Sequence, residues 1–285
     1  MKKIITTLSL GINYTKDYTL RMIEDVLNLT DADFYVTTDC SHVITEKFSN
    51  ERIKIREIKR EDVIVRLPIG PHKGANDFNF NMRYLCLEHV QEINDAVIIF
   101  TDCDNSLDWW DTEVIENFIT DMESKGFDFF GPRTAYKLEI VLNQLQTNCM
   151  SILGEKEFNY HDCTIFWHKF FNYDMIDIEN KMVKNFENHE WKNAGLPAEY
   201  LLIFNNKKDK LKKMVSQWKY FHDYLVNRDY TWGTWAEGFE IGISAYVAGF
   251  KDFDISFTHH IWNKIFTPNG YKTGPRGGIV HGTEK

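Results

Sequence analysis

The sequence predicts an open α/β sheet with helices on both faces. Three observations lead there. Strand-like and helix-like patterns alternate from the first residues onward. The run AVIIF, residues 96–100, is continuous in apolar residues, as a strand buried on both faces must be. Two helical patterns, in TEVIENFITDMESKG and AEGFEIGISAYVAGF, reach a glycine where a helix would stop.

Each element has its own local reason. The opening MKKIITTLSLGINY pairs two lysines with apolar residues, as a signal peptide does, but the apolar run is short and interrupted by threonines, with no small-residue cleavage site. Lys3 to Leu10 therefore reads as the first strand. YTLRMIEDVLNL sets Leu20, Ile23, Val26 and Leu27 at helical spacing. ADFYVTTD reads as a second strand ending at Asp39, and RIKIREI, which alternates, as a third. FNFNMRYLCLEHVQEI forms a helix leading into the strand before Asp102. TEVIENFITDMESKG is the next helix, followed by the strand-like FDFFGPR. The second half is less regular. NYHDCTIFWHKFF holds an aromatic strand, NKKDKLKKMVSQWKYFHDYL a basic and then aromatic helix, and AEGFEIGISAYVAGF a helix of small and apolar residues. From Thr267 the chain is rich in glycine, proline and basic residues and reads as a loop or closing segment. No internal repeat is present.

Composition narrows the function. With 285 residues the chain can bury a substantial core, and its net charge of -9 argues against a dedicated nucleic-acid binder. Aromatics at 15% exceed what packing commonly uses, and they can also offer faces to sugar rings or bases. The cysteines are odd in number and widely spaced, without C-x-x-C, as in reduced cytoplasmic thiols rather than a disulfide framework or zinc site. No stretch is apolar for long enough to predict a transmembrane helix.

The chemistry concentrates in FTDCDNSL. Asp102 and Asp104 follow a buried strand in D-x-D spacing, and in an extended chain two such side chains point the same way. That arrangement suits a divalent metal, Mn²⁺ or Mg²⁺. The same segment resembles the motif of haloacid-dehalogenase-like phosphatases, which would make Asp102 a phosphoryl-accepting nucleophile. Against that stand the long α/β stretch before it and the lack of a later D-D or G-D-x-x-x-D; Asp252 and Asp254 in KDFDISF have a different context.

VIIFTDCDNSL, preceded by FNFNMRYLCLEHV, resembles the nucleotide half of GT-A-fold glycosyltransferases. WAEGFEIGISAYVAGF is similar to that superfamily's helix E-D-x-[DE]-L-G-x-R-x-x-x-A-G-[YFW], with Glu237, Glu240, Ile241, Gly242, Ala248, Gly249 and Phe250 in register. Gly238 stands where the usual catalytic Asp would be. The segment also resembles the G-E-N-L-E-I of retaining polypeptide N-acetylgalactosaminyltransferases, which favours a retaining mechanism.

The resemblance implies a GT-A-like, Rossmann-type open mixed sheet in a single globular domain. A nucleotide-sugar-binding half (1–108) would be followed by an acceptor-binding half (109–266) and a flexible closing segment (267–285). It implies a metal-dependent transfer of sugar from a nucleotide-sugar, a UDP-sugar first, to a glycan hydroxyl or to a hydroxylated base in DNA. Asp104 and the tail's His281 would bind the metal, with Asp102 assisting and reaching the ribose. Leu8, Ser9 and Asp39 would line the nucleotide pocket. Arg83, Lys272, Arg276 and Lys285 would meet the phosphates or donor sugar, and His161, Asp162, Trp235 and Glu240 the sugar or acceptor. Glu237 would be the carboxylate nearest the reacting centre.

Each assignment has a structural alternative. Arg83 can sit on a solvated helix face, Asp39 in a turn, Glu237 at a helix N-terminus, and His259 and His260 in purely structural roles. The six lysines between Lys207 and Lys219 can be the solvated face of a helix whose aromatics face the core, rather than a nucleic-acid platform. A GT-A-like domain that only binds is a third possibility.

Overall fold

The computed structural model describes residues 1–62, 80–105, 111–131, 201–227 and 237–250. Strand β1 (Lys2–Ser9) leads through a single turn, α1 (Ile12–Tyr14), and a π-helical turn (Thr15–Thr19) into α2 (Leu20–Leu29). Then come β2 (Asp33–Thr38), α3 (Ser41–Thr45) and β3 (Ile53–Glu57). A 3₁₀ turn (Phe80–Arg83) opens α4 (Tyr84–Val90), which precedes β4 (Ala96–Thr101). Helix α5 (Thr112–Ser124) and β5 (Phe129–Phe130) follow, and later β6 (Leu201–Asn206), α6 (Lys210–Asn227) and α7 (Glu237–Val247).

The strands form one six-stranded sheet in the order β3-β2-β1-β4-β6-β5. β1 is parallel to β2 and β4, β2 to β3, and β6 runs antiparallel to both β4 and β5. The mixed α/β sheet is the expected class, compatible with a single Rossmann-like domain. β6 is new: LLIFNN, from the second half, fills the place beside β4, so both halves build one sheet.

Strand alternation sorts the core into two layers. Ile5, Phe34, Val36, Val97, Ile99 and Ile203 face α2 and α5. Ile4, Tyr35, Ile98, Phe100, Leu202 and Phe204 face α4, α6 and α7. Helices thus cover both faces. Trp218 of α6 is fully buried in the second layer, its ring edge-on to Tyr84 at 6.1 Å. Lys207, just before this helix, and Lys210 and Lys212 on it pair with Glu123, Asp128 and Glu92. These contacts favour the structural alternative, a lysine-bearing outer face with an aromatic in the core, over a nucleic-acid platform.

Local boundaries differ from the periodicity in understandable ways. The helix after β1 begins at Ile12, because Gly11 (φ 90°) turns the chain and its carbonyl accepts the Thr15 N–H. The helix before β4 is a 3₁₀ turn and two α-turns within the described residues. Strand FDFF shrinks to Phe129–Phe130. Gly126 (φ 74°) and Gly249 (φ 81°) follow α5 and α7, as the glycine stops predicted.

Two long-range sets of contacts tie helices to the sheet. Arg52 inserts its guanidinium under the C-terminus of α2, donating to the carbonyls of Val26, Leu27, Thr30 and Ala32 at 2.6–3.3 Å. A cation there meets orphan carbonyls and the negative end of the helix dipole. Lys3, nearly buried, bridges Asp31 and Glu116 at 2.8 and 2.6 Å and ties β1 to α5. No helix among the described residues is long and apolar enough to cross a membrane.

His89, in the last turn of α4, lies edge-on to Tyr35 at 5.1 Å, and its buried Nδ1 has no hydrogen-bond partner among the described residues. Burial, and secondarily the Arg56 charge, lower its pKa to about 4. The unfolded chain, titrating near 6.5, binds this proton first, so stability is full above about pH 6.5 and declines as pH falls toward 4. His89→Phe is expected to flatten that part of the melting-temperature profile; an unchanged profile would locate the acid sensitivity elsewhere. Arg52→Ala should lower unfolding free energy by about 2–3 kcal/mol in urea titration, through lost charge-assisted hydrogen bonds.

Candidate metal and nucleotide site

Reading along the sheet, the order turns back between β1 and β4: β1 connects onward to β2 on one side, while β4 lies on the other. In open α/β sheets the crevice outside the carboxyl ends at such a switch point is where ligands bind. β1 ends at Ser9 and β4 at Thr101, so the residues immediately after them, Leu10–Gly11 and Asp102–Asn105, flank this crevice.

The D-x-D is a turn rather than extended chain. Asn105 N–H bonds back to Asp102 O at 3.1 Å, and the buried Asn105 side chain donates to Thr101 Oγ1 at 2.7 Å. The extended geometry expected from the spacing is therefore corrected: β4 pairing stops at Thr101, and the side-chain amide of Asn105 folds the chain over. The consequence for the carboxylates is nevertheless similar. Cys103 is fully buried between two partly exposed aspartates. Burial pushes the thiols of Cys103 and Cys86 well above their ordinary range, so both stay protonated. Cys40, Cys86 and Cys103 are all free and buried.

Arg83 grips Asp102 with both arms: Nε donates to Oδ1 at 2.7 Å and Nη2 to Oδ2 at 3.0 Å. The side chains are 16% and 12% exposed. Arg83 is thus not on a solvated helix face. It closes the 3₁₀ turn that opens α4 and points at the D-x-D, a fork-to-fork pairing that fixes carboxylate orientation.

The β1 side supplies donors the periodicity did not single out. Asp39 Oδ1 accepts the Gly11 N–H at 2.7 Å, tying the ends of β1 and β2 together. The side chain of Ser9 does not line a pocket; it is fully buried, with its hydroxyl 2.9 Å from Thr15 Oγ1 and accepting from Thr19 Oγ1 at 2.6 Å. The expectation for Ser9 is corrected accordingly: β-strand alternation turns it toward the π-helical turn. Leu8 is half-buried against the second core layer. The Tyr14 ring lies 4.9 Å from the Tyr18 ring and packs against the first core layer. Arg21 Nη2 reaches the carbonyls of Asp104 and Asn105 at 3.4 Å and lies over the Tyr18 ring. The only sequence signal for this group is the spacing of Tyr14, Tyr18 and Arg21 on one helical stretch.

Other expected residues are not brought into view. His161, Asp162, Trp235, His259, His260, Lys272, Arg276, His281 and Lys285 lie outside the described residues. Glu237 and Glu240 are placed only as backbone positions of α7, Glu237 being its first residue. Among the described residues no group of three or more His, Cys, Asp or Glu could hold a metal.

The Arg83–Asp102 pair is expected to behave as a partly buried unit. Arg83→Ala should cost about 3 kcal/mol, because it leaves a carboxylate uncompensated. The Arg83→Ala/Asp102→Ala double variant should cost clearly less than the sum of the singles. Simple additivity in a denaturation double-mutant cycle would show that the pair is not coupled.

No protein-family model matches the chain, and no curated protein shows significant similarity to it.

Proposed function

We propose that the protein is a metal-dependent glycosyltransferase that takes a sugar from a nucleotide-sugar, a UDP-sugar first, and moves it to an acceptor hydroxyl. The single observation that supports this most is the location of the Asp102–Asp104 turn at the switch-point crevice beside the end of β1. A nucleotide lying across the ends of β1 and β2 would bring its diphosphate to this turn. The resemblance of the D-x-D strand and of the α7 segment to GT-A enzymes points the same way.

The donor chemistry fits the metal. Asp102 and Asp104 are hard oxygen donors of the kind Mn²⁺ and Mg²⁺ take, and phosphate oxygens would complete the coordination shell. Since Arg83 holds both oxygens of Asp102, Asp104 is the first ligand, with Asp102 assisting and His281 completing the protein's share. The bound cation supplies charge stabilisation to the departing diphosphate. Asp39 and Leu8 would border the nucleoside, and the tail's Lys272, Arg276 and Lys285 the phosphates. Glu237, with Trp235 and Glu240 nearby in sequence, would face the reacting carbon and acceptor together with His161 and Asp162. The acceptor is a glycan hydroxyl ahead of a hydroxylated DNA base, since Lys210 and Lys212 of α6 are paired with acids and Trp218 is in the core.

The clamp on Asp102 also bears on the phosphatase alternative. A nucleophilic Asp works through a free, negatively charged oxygen, and the Arg83 guanidinium on both Asp102 oxygens would lower their nucleophilicity.

The test is melting temperature with a panel of nucleoside diphosphates, with and without Mn²⁺. A ligand at one hundred times its Kd adds about 2.7 kcal/mol. A shift with UDP that requires the metal, and that Asp104→Ala abolishes, is the expected result. No shift with any nucleotide, together with Mg²⁺-dependent phosphate release from a simple ester, would replace this reading with the phosphatase one.

A further inference from the structure

We propose that Arg83 couples metal binding to nucleotide binding. By holding the Asp102 carboxylate it keeps the D-x-D a poor site for a lone divalent cation, so that Mn²⁺ or Mg²⁺ enters together with a nucleoside diphosphate. The inference rests on the metal-dependent reading above and adds to it a condition on how the site fills.

The clamp is built from both ends. Arg83 Nε and Nη2 donate to the two oxygens of Asp102 at 2.7 and 3.0 Å, and both side chains are mostly buried. On the α4 side, the Arg83 carbonyl accepts from Cys86 Sγ at 2.9 Å, and the Cys86 carbonyl accepts from Thr6 Oγ1 of β1 at 3.1 Å. Tyr84, Leu87 and Val90 seat that helix in the second core layer. On the turn side, the Asn105 N–H returns to the Asp102 carbonyl and the Asn105 amide holds Thr101. Arg21 of α2 donates to the carbonyls of Asp104 and Asn105 at 3.4 Å. Both backbones are thus fixed to the sheet, and the forked contact joins them.

Charge decides the consequence. The D-x-D brings two carboxylates, and the paired guanidinium offsets one of them where burial limits screening by salt. A lone divalent cation therefore meets a weakened negative field and a positive neighbour. Affinity for hard cations follows the charge of their oxygen ligands, and Mg²⁺ is commonly held by few carboxylates together with substrate phosphates. A nucleoside diphosphate carries more negative charge than one divalent cation offsets. The two together form an anion, which a guanidinium attracts. The same Arg83 thus disfavours the cation alone and favours it with its nucleotide. Ligands linked in this way raise each other's affinity by one common factor, typically about 5- to 150-fold.

The test uses the full chain and reads Mn²⁺ binding by electron paramagnetic resonance, with and without UDP, corrected for the Mn²⁺ that UDP alone holds. Wild type is measured first. If it binds no Mn²⁺ with UDP, the metal-dependent reading falls and this proposal with it. If it binds with UDP, its Mn²⁺ affinity without UDP is expected to be at least about 10-fold weaker; equal affinity in the two conditions overturns the coupling and leaves the metal reading intact. Arg83→Gln is expected to bind Mn²⁺ without UDP about 10-fold more tightly than wild type, narrowing the difference that UDP makes. The Arg83→Gln/Asp102→Asn double variant should lose that gain. Arg56→Gln, which removes another partly buried guanidinium paired to α4 at Glu88, should match wild type. Melting in the same solutions covers a destabilised variant: Mn²⁺ alone raises the melting temperature of Arg83→Gln and leaves that of wild type in place. No gain in Arg83→Gln by either readout, a gain that survives in the double variant, or an equal gain in Arg56→Gln would overturn the role given to Arg83.

Discussion

The parallel pairing of β1 with β4 is the constraint on which the rest depends. β1 lies between β2 and β4, with Ile4 and Ile5 fully buried on opposite faces. A strand paired on both edges and covered on both faces has no freedom to shift register without moving its apolar residues between the two core layers. The pairing Thr6 to Phe100 then brings the end of β1 alongside the D-x-D turn. Chain leaving β1 packs against one face and α4 against the other, and the carboxyl ends remain open between them.

Three carboxylates border that opening, and two of them meet donors of different character. Asp102 meets a guanidinium and Asp39 a backbone amide. The difference has physical consequences. A two-armed guanidinium fixes a carboxylate plane and offsets its charge, whereas an amide orients without carrying charge. Two carboxylates separated by one residue would otherwise repel, and Arg83 relieves that repulsion from the α4 side while the β1 segment braces the turn from the other. The crevice is therefore assembled from three separate stretches of chain.

The far side of β4 has a different logic. β6 closes the sheet with LLIFNN, all buried, and Asn206 carries polar contacts out of the core by donating to the Ile93 carbonyl and accepting from Leu211 N–H. Helix α6 is amphipathic in the ordinary sense: Leu211, Met214, Val215 and Trp218 enter the second core layer. Of its lysines, Lys210 and Lys212 pair with Asp128 and Glu92, and Lys219 lies over the Tyr84 ring. A basic run followed by aromatics reads equally well as a nucleic-acid surface until the direction of the aromatics is known.

By itself, the sequence determined the α/β rhythm, β1 through β4, the amphipathic helices, the glycine stops and the carboxylate pair Asp102 and Asp104 that follows an apolar strand. These are local properties: strand and helix periods, φ values open mainly to glycine, and a charged pair ending an apolar strand. The tertiary structure alone decided the rest. β6 was missed because a short apolar run cannot announce its partner. The bend at Asp102 depends on the Asn105 amide reaching Thr101, and the role of Arg83 on a contact across 19 residues. Ser9 faces inward because its neighbours in space are Thr15 and Thr19, and Arg21 reaches the carbonyls of Asp104 and Asn105 only because β1 pairs with β4. Periodicity reports which face of an element is apolar; which side chains converge at one end of the sheet is set by strand order, and strand order arises only from long-range packing.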